Sequence, residues 1–291
     1  MRSEPVAGPG GAGPTVRDCL RACGLPRLEA QLLLAHVLQQ SRVWLITHDD
    51  AVLSQEQHQG FLALCARRLH GEPIAYLLGH REFMGLTFEV SPAVLIPRPE
   101  TELLVAEALR VITYKNSPAV LDLGTGSGAI AVALAHARSD ARAWATDISA
   151  DALNLARRNA LMLGVGVQFL QGSWFEALAS VESLPKFDLI VSNPPYIAAG
   201  DGHLDEGDLR FEPTIALTDG ADGLDAYRAI LSSAPQYLSE GASICLEHGF
   251  DQSGALSLLF EQAGFVDIKT LRDLAGHPRV TVGSYNGDQI D

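Results

Sequence analysis

The sequence predicts an α/β protein in which a mostly parallel sheet follows a small helical bundle. From about residue 100 onward, apolar runs of strand length alternate with segments of helical periodicity. This alternation is typical of a parallel sheet covered by helices. A glycine-rich turn at residues 124–128 also joins one predicted strand to the helix after it. Before residue 71, by contrast, the apolar spacing is helical.

Changes in composition and period divide the chain into four predicted regions. Residues 1–14 are rich in Gly, Pro and Ala and predict a disordered tail. Residues 15–74 predict a helical domain, for which substrate docking and a plain stabilising role both stay open. Residues 75–99 predict a linker that contains a β-hairpin, and residues 100–285 predict the α/β domain.

Local signals place several elements before the α/β domain. Thr15 is expected to cap the first helix, and either Asp49 or Ser54 a later one. The hairpin is expected to turn at Met84-Gly85. One helix is expected to bury a face of residues spaced three and four apart, namely Leu28, Gln31, Leu32, Ala35 and Leu38.

The α/β domain is predicted element by element from the same signals. Its strands are predicted at residues 119–123, 141–146, 167–170, 187–192, 242–247, 265–270 and 279–283. Its helices are predicted at residues 100–112, 129–137, 149–163, 223–238 and 251–263. The loop at residues 197–222 is long for a compact domain, which favours a functional role.

Composition narrows the classes of function. The 291 residues carry a formal net charge of −14, which argues against a broad grip on nucleic acid. The four cysteines lack the paired spacing of a zinc site or a disulfide framework, so we expect no metal and a reducing cytoplasm. No apolar run approaches the ~20 residues that cross a bilayer, so we expect no membrane partner.

The glycine turn indicates a nucleotide-type cofactor. Gly124, Gly126 and Gly128 let a ligand approach the backbone at the start of a helix. Asp147 ends the second strand of the domain about 20 residues on, where an acidic residue typically binds ribose hydroxyls. Trp174, after the third strand, is a candidate to line an adenine site.

The spacing of the turn favours S-adenosylmethionine (SAM) over a dinucleotide. A dinucleotide fingerprint is Gly-x-Gly-x-x-Gly with the pyrophosphate against the helix, whereas here the pattern is Gly-x-Gly-x-Gly, preceded by Asp122. A carboxylate there repels a pyrophosphate but suits the ammonium group of SAM. Asp122 is alternatively a buried carboxylate that accepts loop N–H bonds, and the two interpretations are compatible.

A second motif, Asn193-Pro194-Pro195-Tyr196, directly follows the apolar strand 187–192. Neither proline can donate to a sheet ladder, so the chain leaves the sheet in a stiff turn. Such a turn can hold a planar NH2 group, because the Asn193 side-chain oxygen and a proline carbonyl accept its two hydrogens while Tyr196 packs on its plane. The plain alternative is the start of a loop.

Arg98 lies between two prolines in Pro97-Arg98-Pro99. Such a rigid arginine beside a ligand pocket could bind a carboxylate. An exposed linker arginine, the alternative, would bind nothing.

Together these motifs resemble the HemK/PrmC family, the release-factor glutamine methyltransferases, over about residues 25–283. The resemblance is carried by residues 72–79, 95–102, 121–128, 188–197, 211–213 and 246–249. It implies a class I SAM-dependent methyltransferase domain, Rossmann-like with a seven-stranded sheet. It further implies that the enzyme methylates the glutamine of the Gly-Gly-Gln motif in class 1 peptide-chain release factors, its partners in translation termination.

The resemblance also implies roles for particular residues. SAM would be bound by Asp122, Gly124, Thr125, Gly126, Ser127, Gly128, Asp147, Trp174 and Asn193. The glutamine would be held by Asn193, Pro194, Pro195 and Tyr196, with Arg98 as a further substrate contact. The catalytic roles would fall to Asn193, Pro194 and Tyr196.

Three other functions remain as alternatives. A nucleic-acid adenine methyltransferase shares the tetrapeptide, but it would need a basic groove for a flipped base. A non-catalytic SAM-binding partner domain predicts binding without turnover. A nicotinamide dehydrogenase predicts NADH binding and no SAM binding.

Overall fold

The computed structural model describes residues 13–202 and 207–287. The chain divides into two compact units, Met1–Leu78 and Gly79–Asp291. The disorder predicted for residues 1–12 lies outside the described residues. Within the described ranges, no helix combines the length and the apolar character needed to cross a membrane.

The described part of the first unit is helical. Its helices are α1 (Val16–Ala22), α2 (Arg27–Leu38), α3 (Arg42–Thr47), α4 (Gln55–Leu69) and α5 (Ile74–Leu78). Thr15 caps α1 and Ser54 caps α4, each through a capping box. Asp49, the alternative cap, instead forms an ion pair with Arg17 at 2.6 Å.

The buried face of helix α2 matches the predicted one only in part, since Gln31 is buried as expected. Ala30, Leu33 and Leu34 are fully buried, whereas Leu28 is 53% exposed. Apolar residues occur on nearly every side of α2, so their spacing does not select a face. Packing against α4 and the neighbouring helices decides it instead.

The second unit begins with a hairpin of β1 (His80–Phe83) and β2 (Leu86–Glu89), paired antiparallel. Met84 and Gly85 form the turn with φ of 52° and 73°, the left-handed pair that a tight hairpin turn requires. The prediction of this turn is confirmed. Residues 75–78, predicted as part of the linker, are helical instead, because the Pro73 carbonyl accepts bonds from the N–H groups of Tyr76 and Leu77.

A seven-stranded sheet forms the centre of the second unit, as the sequence predicts. Its strands are β3 (Ala119–Leu123), β4 (Arg142–Asp147), β5 (Val167–Gln171), β6 (Phe187–Ser192), β7 (Leu238–Glu247), β8 (Phe265–Arg272) and β9 (Pro278–Tyr285). Their order is β5-β4-β3-β6-β7-β9-β8, and only β9 runs antiparallel to its neighbours. The chain order reverses between β3 and β6, and ligands bind at such a switch point, outside the carboxyl ends of the strands.

Helices cover both faces of this sheet. They are α6 (Thr101–Val111), α7 (Ala129–Ala137), α8 (Ala150–Met162), α9 (Asp225–Ser233) and α10 (Ser253–Gln262). Alternate strand residues enter separate apolar layers: Leu189 and Val191 pack with α6 and α7, whereas Ile190 packs with α9 and α10.

The helix predicted for residues 223–238 is too long. Helix α9 ends at Ser233, and a 3-10 turn that contains Pro235 leads directly into β7 at Leu238. Proline has no N–H group to continue an α-helix.

Candidate active site

Strand register brings the motifs to one edge of the sheet. Leu123 pairs with Thr146 and with Ser192, and Ser192 pairs with Leu246. The residue after each of these therefore lies at the same carboxyl edge. Those residues are Gly124, Asp147, Asn193 and Glu247.

A cleft of about 110 Å³ opens at this edge. The predicted site residues that line it are Arg98, Gly124, Thr125, Gly126, Ser127, Asp147, Asn193 and Pro195. A second pocket shares Gly124, Asp147 and Pro195 with it and adds Trp174. The structure thus brings most of the predicted cofactor residues around one continuous cleft.

The glycine turn leaves bare backbone at the floor of this cleft. Gly124 and Gly126 have φ of 70° and 55°, and a Cβ added at Gly126 would meet no atom within 4 Å. Gly128 differs, because it does not line the cleft and its added Cβ would lie 3.0 Å from the Ala156 Cβ of α8. Its position serves the close packing of α7 on α8.

Asp122 lies beneath the turn rather than on the cleft surface. Its Oδ2 accepts hydrogen bonds from Thr125 Oγ1 at 2.6 Å and from the Ala131 N–H at 3.2 Å. Complete burial raises the pKa of this carboxyl to about 7. Its Oδ1 has no hydrogen-bond partner among the described residues. The donors are therefore the hydroxyl of a turn residue and an N–H group of α7, so Asp122 is a buried carboxylate that supports the turn, although not through N–H groups of the loop.

Asp147 lines the cleft, and its carboxylate accepts hydrogen bonds from the segments that lead into α7 and α8. Its Oδ2 accepts from the Gly126 N–H at 2.8 Å, and its Oδ1 accepts from the Ser149 N–H at 2.9 Å. Ser149 in turn caps α8, as the sequence predicts. Burial raises the pKa of the Asp147 carboxyl.

Trp174 closes the second pocket against the glycine turn. Its ring lies 3.3 Å from a Cβ built on Gly124, so a side chain at residue 124 would collide with the indole. Trp174 itself has a φ of 44°, a left-handed conformation that bulky residues rarely adopt. Strain of this kind clusters at ligand sites.

The Asn-Pro-Pro-Tyr turn starts at the end of β6. Asn193 Nδ2 donates to Thr101 Oγ1 at 3.2 Å, which leaves Asn193 Oδ1 as the acceptor of that amide. Pro195 lines the cleft, whereas Pro194 is buried and Tyr196 lies among the apolar side chains beside α9 and α10. Burial raises the pKa of the Tyr196 phenol to about 12, so it is neutral at pH 7.

Arg98 binds a carboxylate of its own chain. Its guanidinium pairs with Glu212, whose side chain is fully buried and whose Oε2 also accepts from the Ile96 N–H at 3.0 Å. Arg98 still lines the cleft. Its contact with substrate stays a prediction. Its ion pair with Glu212, together with the bond from the Ile96 N–H, links residues 96–98 to the loop after Asn193.

Sequence reasoning missed three residues that support the turn: Thr101, Glu247 and Gln252. Gln252 Nε2 donates to the Tyr196 carbonyl at 2.9 Å and to the Gly223 carbonyl at 3.1 Å. Glu247 is fully buried at the end of β7. An acidic residue at the end of an apolar strand was the available signal for Glu247.

The cleft fits SAM in several respects. Bare glycine backbone, Asp147 and the indole of Trp174 suit a ligand with a ribose and an aromatic base. Within residues 13–202 and 207–287, no group of three or more His, Cys, Asp or Glu side chains is placed to hold a metal ion.

Comparisons with known proteins agree with this geometry. Residues 15–79 match the family model of the PrmC N-terminal domain, and residues 100–206 match that of the methyltransferase small domain. A 16S rRNA N2 G1207 methyltransferase from T. thermophilus, solved with AdoMet and guanosine, has a similar fold. Its TM-score is 0.52 at 22% identity, over 71% of this chain and 50% of that one.

Curated relatives are far more similar in sequence. A release factor glutamine methyltransferase of Bordetella pertussis is 52% identical, over 92% of this chain and 98% of the relative. One of Burkholderia pseudomallei is 50% identical, over 94% of this chain and 97% of the relative. The chain is therefore a SAM-dependent methyltransferase of the class I fold, and it belongs to the family of release factor glutamine methyltransferases.

Proposed function

We propose that this enzyme transfers a methyl group from SAM to the side-chain amide nitrogen (N5) of the glutamine in the Gly-Gly-Gln motif of class 1 release factors. The observation that carries the proposal is the Asn-Pro-Pro-Tyr turn at the edge of the cofactor cleft, with Asn193 Nδ2 turned onto Thr101. That contact supports an amide oxygen free to accept a hydrogen from the substrate. Family membership supports the choice of a release factor.

The proposed chemistry depends on positioning. Bound SAM supplies an electrophilic methyl group on sulfur. An amide nitrogen is a weak nucleophile because its lone pair is delocalised, so the chain must hold it in line with that methyl group. Asn193 Oδ1 and the Pro194 carbonyl accept the two N–H bonds and stabilise the positive charge that develops on nitrogen. Tyr196 packs on the glutamine, and the proton leaves after transfer.

The remaining site roles belong to the same proposal. Gly124, Thr125, Gly126, Ser127, Asp147 and Trp174 hold SAM. Asp122 supports the turn from below. Residues 15–74 dock the protein substrate. With a net charge of −14, no nucleic-acid substrate is expected, and a cytoplasmic location suits four cysteines that are all free thiols.

A methyl-transfer assay with labelled SAM tests the proposal. The purified chain is offered a class 1 release factor, the same factor with its motif glutamine changed to alanine, and duplex DNA. Label on the intact factor alone is the expected result. Label on DNA would favour an adenine methyltransferase, and SAM binding without any label would favour a non-catalytic domain.

A further inference from the structure

A buried acid lies directly behind the proposed catalytic amide. Glu247 is the last residue of β7 and is 1% exposed. Ser192 pairs with Leu246, so Asn193 and Glu247 leave neighbouring parallel strands side by side. The Oε2 atom of Glu247 has no hydrogen-bond partner among the described residues. A buried carboxylate that forms no ion pair with any described residue is costly, so its position calls for a functional reason.

Hydrogen-bond polarity links this acid to Asn193 through Thr101. Asn193 Nδ2 donates to Thr101 Oγ1 at 3.2 Å, so the Thr101 hydroxyl hydrogen must go to another acceptor. The Thr101 hydroxyl and the Asn193 amide are the side chains that hydrogen-bond to the Glu247 carboxyl, whereas the Tyr227 hydroxyl donates to the Glu247 carbonyl at 2.9 Å. An ionised carboxylate accepts hydrogen bonds and donates none. Both neighbours must therefore direct their hydrogens toward it.

We propose that ionised Glu247 is a positioning residue, which acts with Thr101 to keep Asn193 Nδ2 turned inward and Asn193 Oδ1 presented to the substrate amide. This inference rests on the proposed function. A neutral side chain at residue 247 can donate a hydrogen bond to Thr101. The Thr101 hydroxyl can then donate to Asn193 Oδ1. In that case the Asn193 side-chain amide flips, so that its oxygen and nitrogen exchange places. Its NH2 group would face the NH2 group of the substrate, two donors without an acceptor.

Several charged or titratable groups face Glu247. Burial raises the pKa of its carboxyl to about 7, against the opposing effects of Thr101, Arg279 on β9 and Asn193. Glu100, just before α6, raises the pKa further. The phenols of Tyr196 and Tyr227 also lie within its electrostatic range, and the pKa of each is raised, so both are neutral at working pH. Glu247 therefore titrates within the working range of pH.

The test compares wild type with Glu247→Gln in the methyl-transfer assay on a class 1 release factor between about pH 6 and 9. We expect kcat of the variant at pH 8 to fall at least about tenfold, with KM for SAM within about twofold. Wild-type kcat should also fall as pH decreases through the pKa of Glu247, and this acid limb should be absent from the variant. Equal kcat and an unchanged acid limb would overturn the proposal.

A pair of variants at Thr101 tests the positioning proposal even if Glu247→Gln does not fold. Thr101→Val removes the hydroxyl and should lower kcat by about tenfold or more, whereas Thr101→Ser restores the hydroxyl and should recover most of that loss. A Thr101→Val enzyme as active as Thr101→Ser would overturn the proposal. If wild type itself transfers no label to the release factor, the proposed function fails instead, so the two failures are distinguishable.

Discussion

Gln252 joins three segments that meet around the Asn-Pro-Pro-Tyr turn. Its Nε2 donates to the carbonyls of Tyr196 and Gly223, and its Oε1 accepts from the Gly249 N–H at 2.9 Å. The turn is thereby fastened both to the loop before α9 and to the end of β7. We predict that Gln252→Ala loosens the turn without touching the cofactor cleft, which Gln252 does not line.

The magnitude follows from the three lost bonds. Each leaves one backbone group in a half-buried place, and a net loss of about 1 kcal/mol per bond gives about 2–3 kcal/mol in the free energy of unfolding. For a folding unit of this size, we expect the melting temperature to fall by roughly 5–10 °C. Displacement of the substrate amide should lower kcat by about 10- to 100-fold. The Kd for SAM should stay within about threefold, because the cleft lining is intact.

Thermal unfolding by circular dichroism, SAM titration calorimetry and the methyl-transfer assay measure these quantities. Gln262→Ala is the matched control, since Gln262 is an exposed glutamine at the end of α10, the helix that begins directly after Gln252. Its effect on stability should stay within about 0.5 kcal/mol. A Gln252→Ala enzyme with the melting temperature and kcat of wild type would refute the reasoning.

Three further predictions concern the cleft and its turn. Asn193→Ala should lower kcat by about 100-fold while calorimetry finds a smaller change in SAM affinity, and a fully active variant would contradict the mechanism. The pKa of Asp122 is raised from 3.8 to about 7, so its stabilising neutral form is lost as pH rises. Asp122→Asn should therefore gain stability over wild type, by up to about 4 kcal/mol, as pH rises from about 4 to 7; a pH-independent difference in melting temperature would exclude this. Gly223→Ala places a Cβ 2.5 Å from the Tyr196 carbonyl oxygen, so it should lower the free energy of unfolding by at least about 2 kcal/mol. Gly220 has the same left-handed backbone but open space around it, so Gly220→Ala should lower it by only about 1 kcal/mol. Equal melting temperatures of the two variants would refute this.

Local signals were sufficient for most of the fold. Strand 187–192 and helix 129–137 have the predicted bounds, and Ser149 caps α8 as predicted. In each case a few adjacent residues carry the information: an apolar run, a glycine turn or a capping hydroxyl. Pro235 shows the limit of such signals. It was visible in the sequence, yet the apolar periodicity around it suggested one continuous helix through residue 238.

The site was predictable in its residues but not in its contacts. Asp122 was expected to meet a ligand ammonium group, to accept loop N–H bonds, or both, and its partners are the Thr125 hydroxyl and the Ala131 N–H of α7. Arg98 was expected either to bind a carboxylate or to bind nothing, and the carboxylate that it binds is that of Glu212. Such pairings depend on how distant segments meet, since 114 residues separate Arg98 from Glu212. Residue type suggests the chemistry, and only the tertiary structure selects the partner.

Asn193, the proposed catalytic amide, illustrates the same dependence most directly. An asparagine can present either an acceptor or a donor to a ligand, and the sequence Asn-Pro-Pro-Tyr does not decide between them. Thr101, at the start of α6, receives Asn193 Nδ2, and buried Glu247 sets the direction of the Thr101 hydroxyl. The recognition of a substrate NH2 group therefore depends on two residues outside the motif. Burial of the Glu247 carboxylate lowers the stability of the fold, and a neutral residue in its place would raise it. Such a residue would no longer hold the Asn193 amide in the orientation that presents Oδ1 to the substrate.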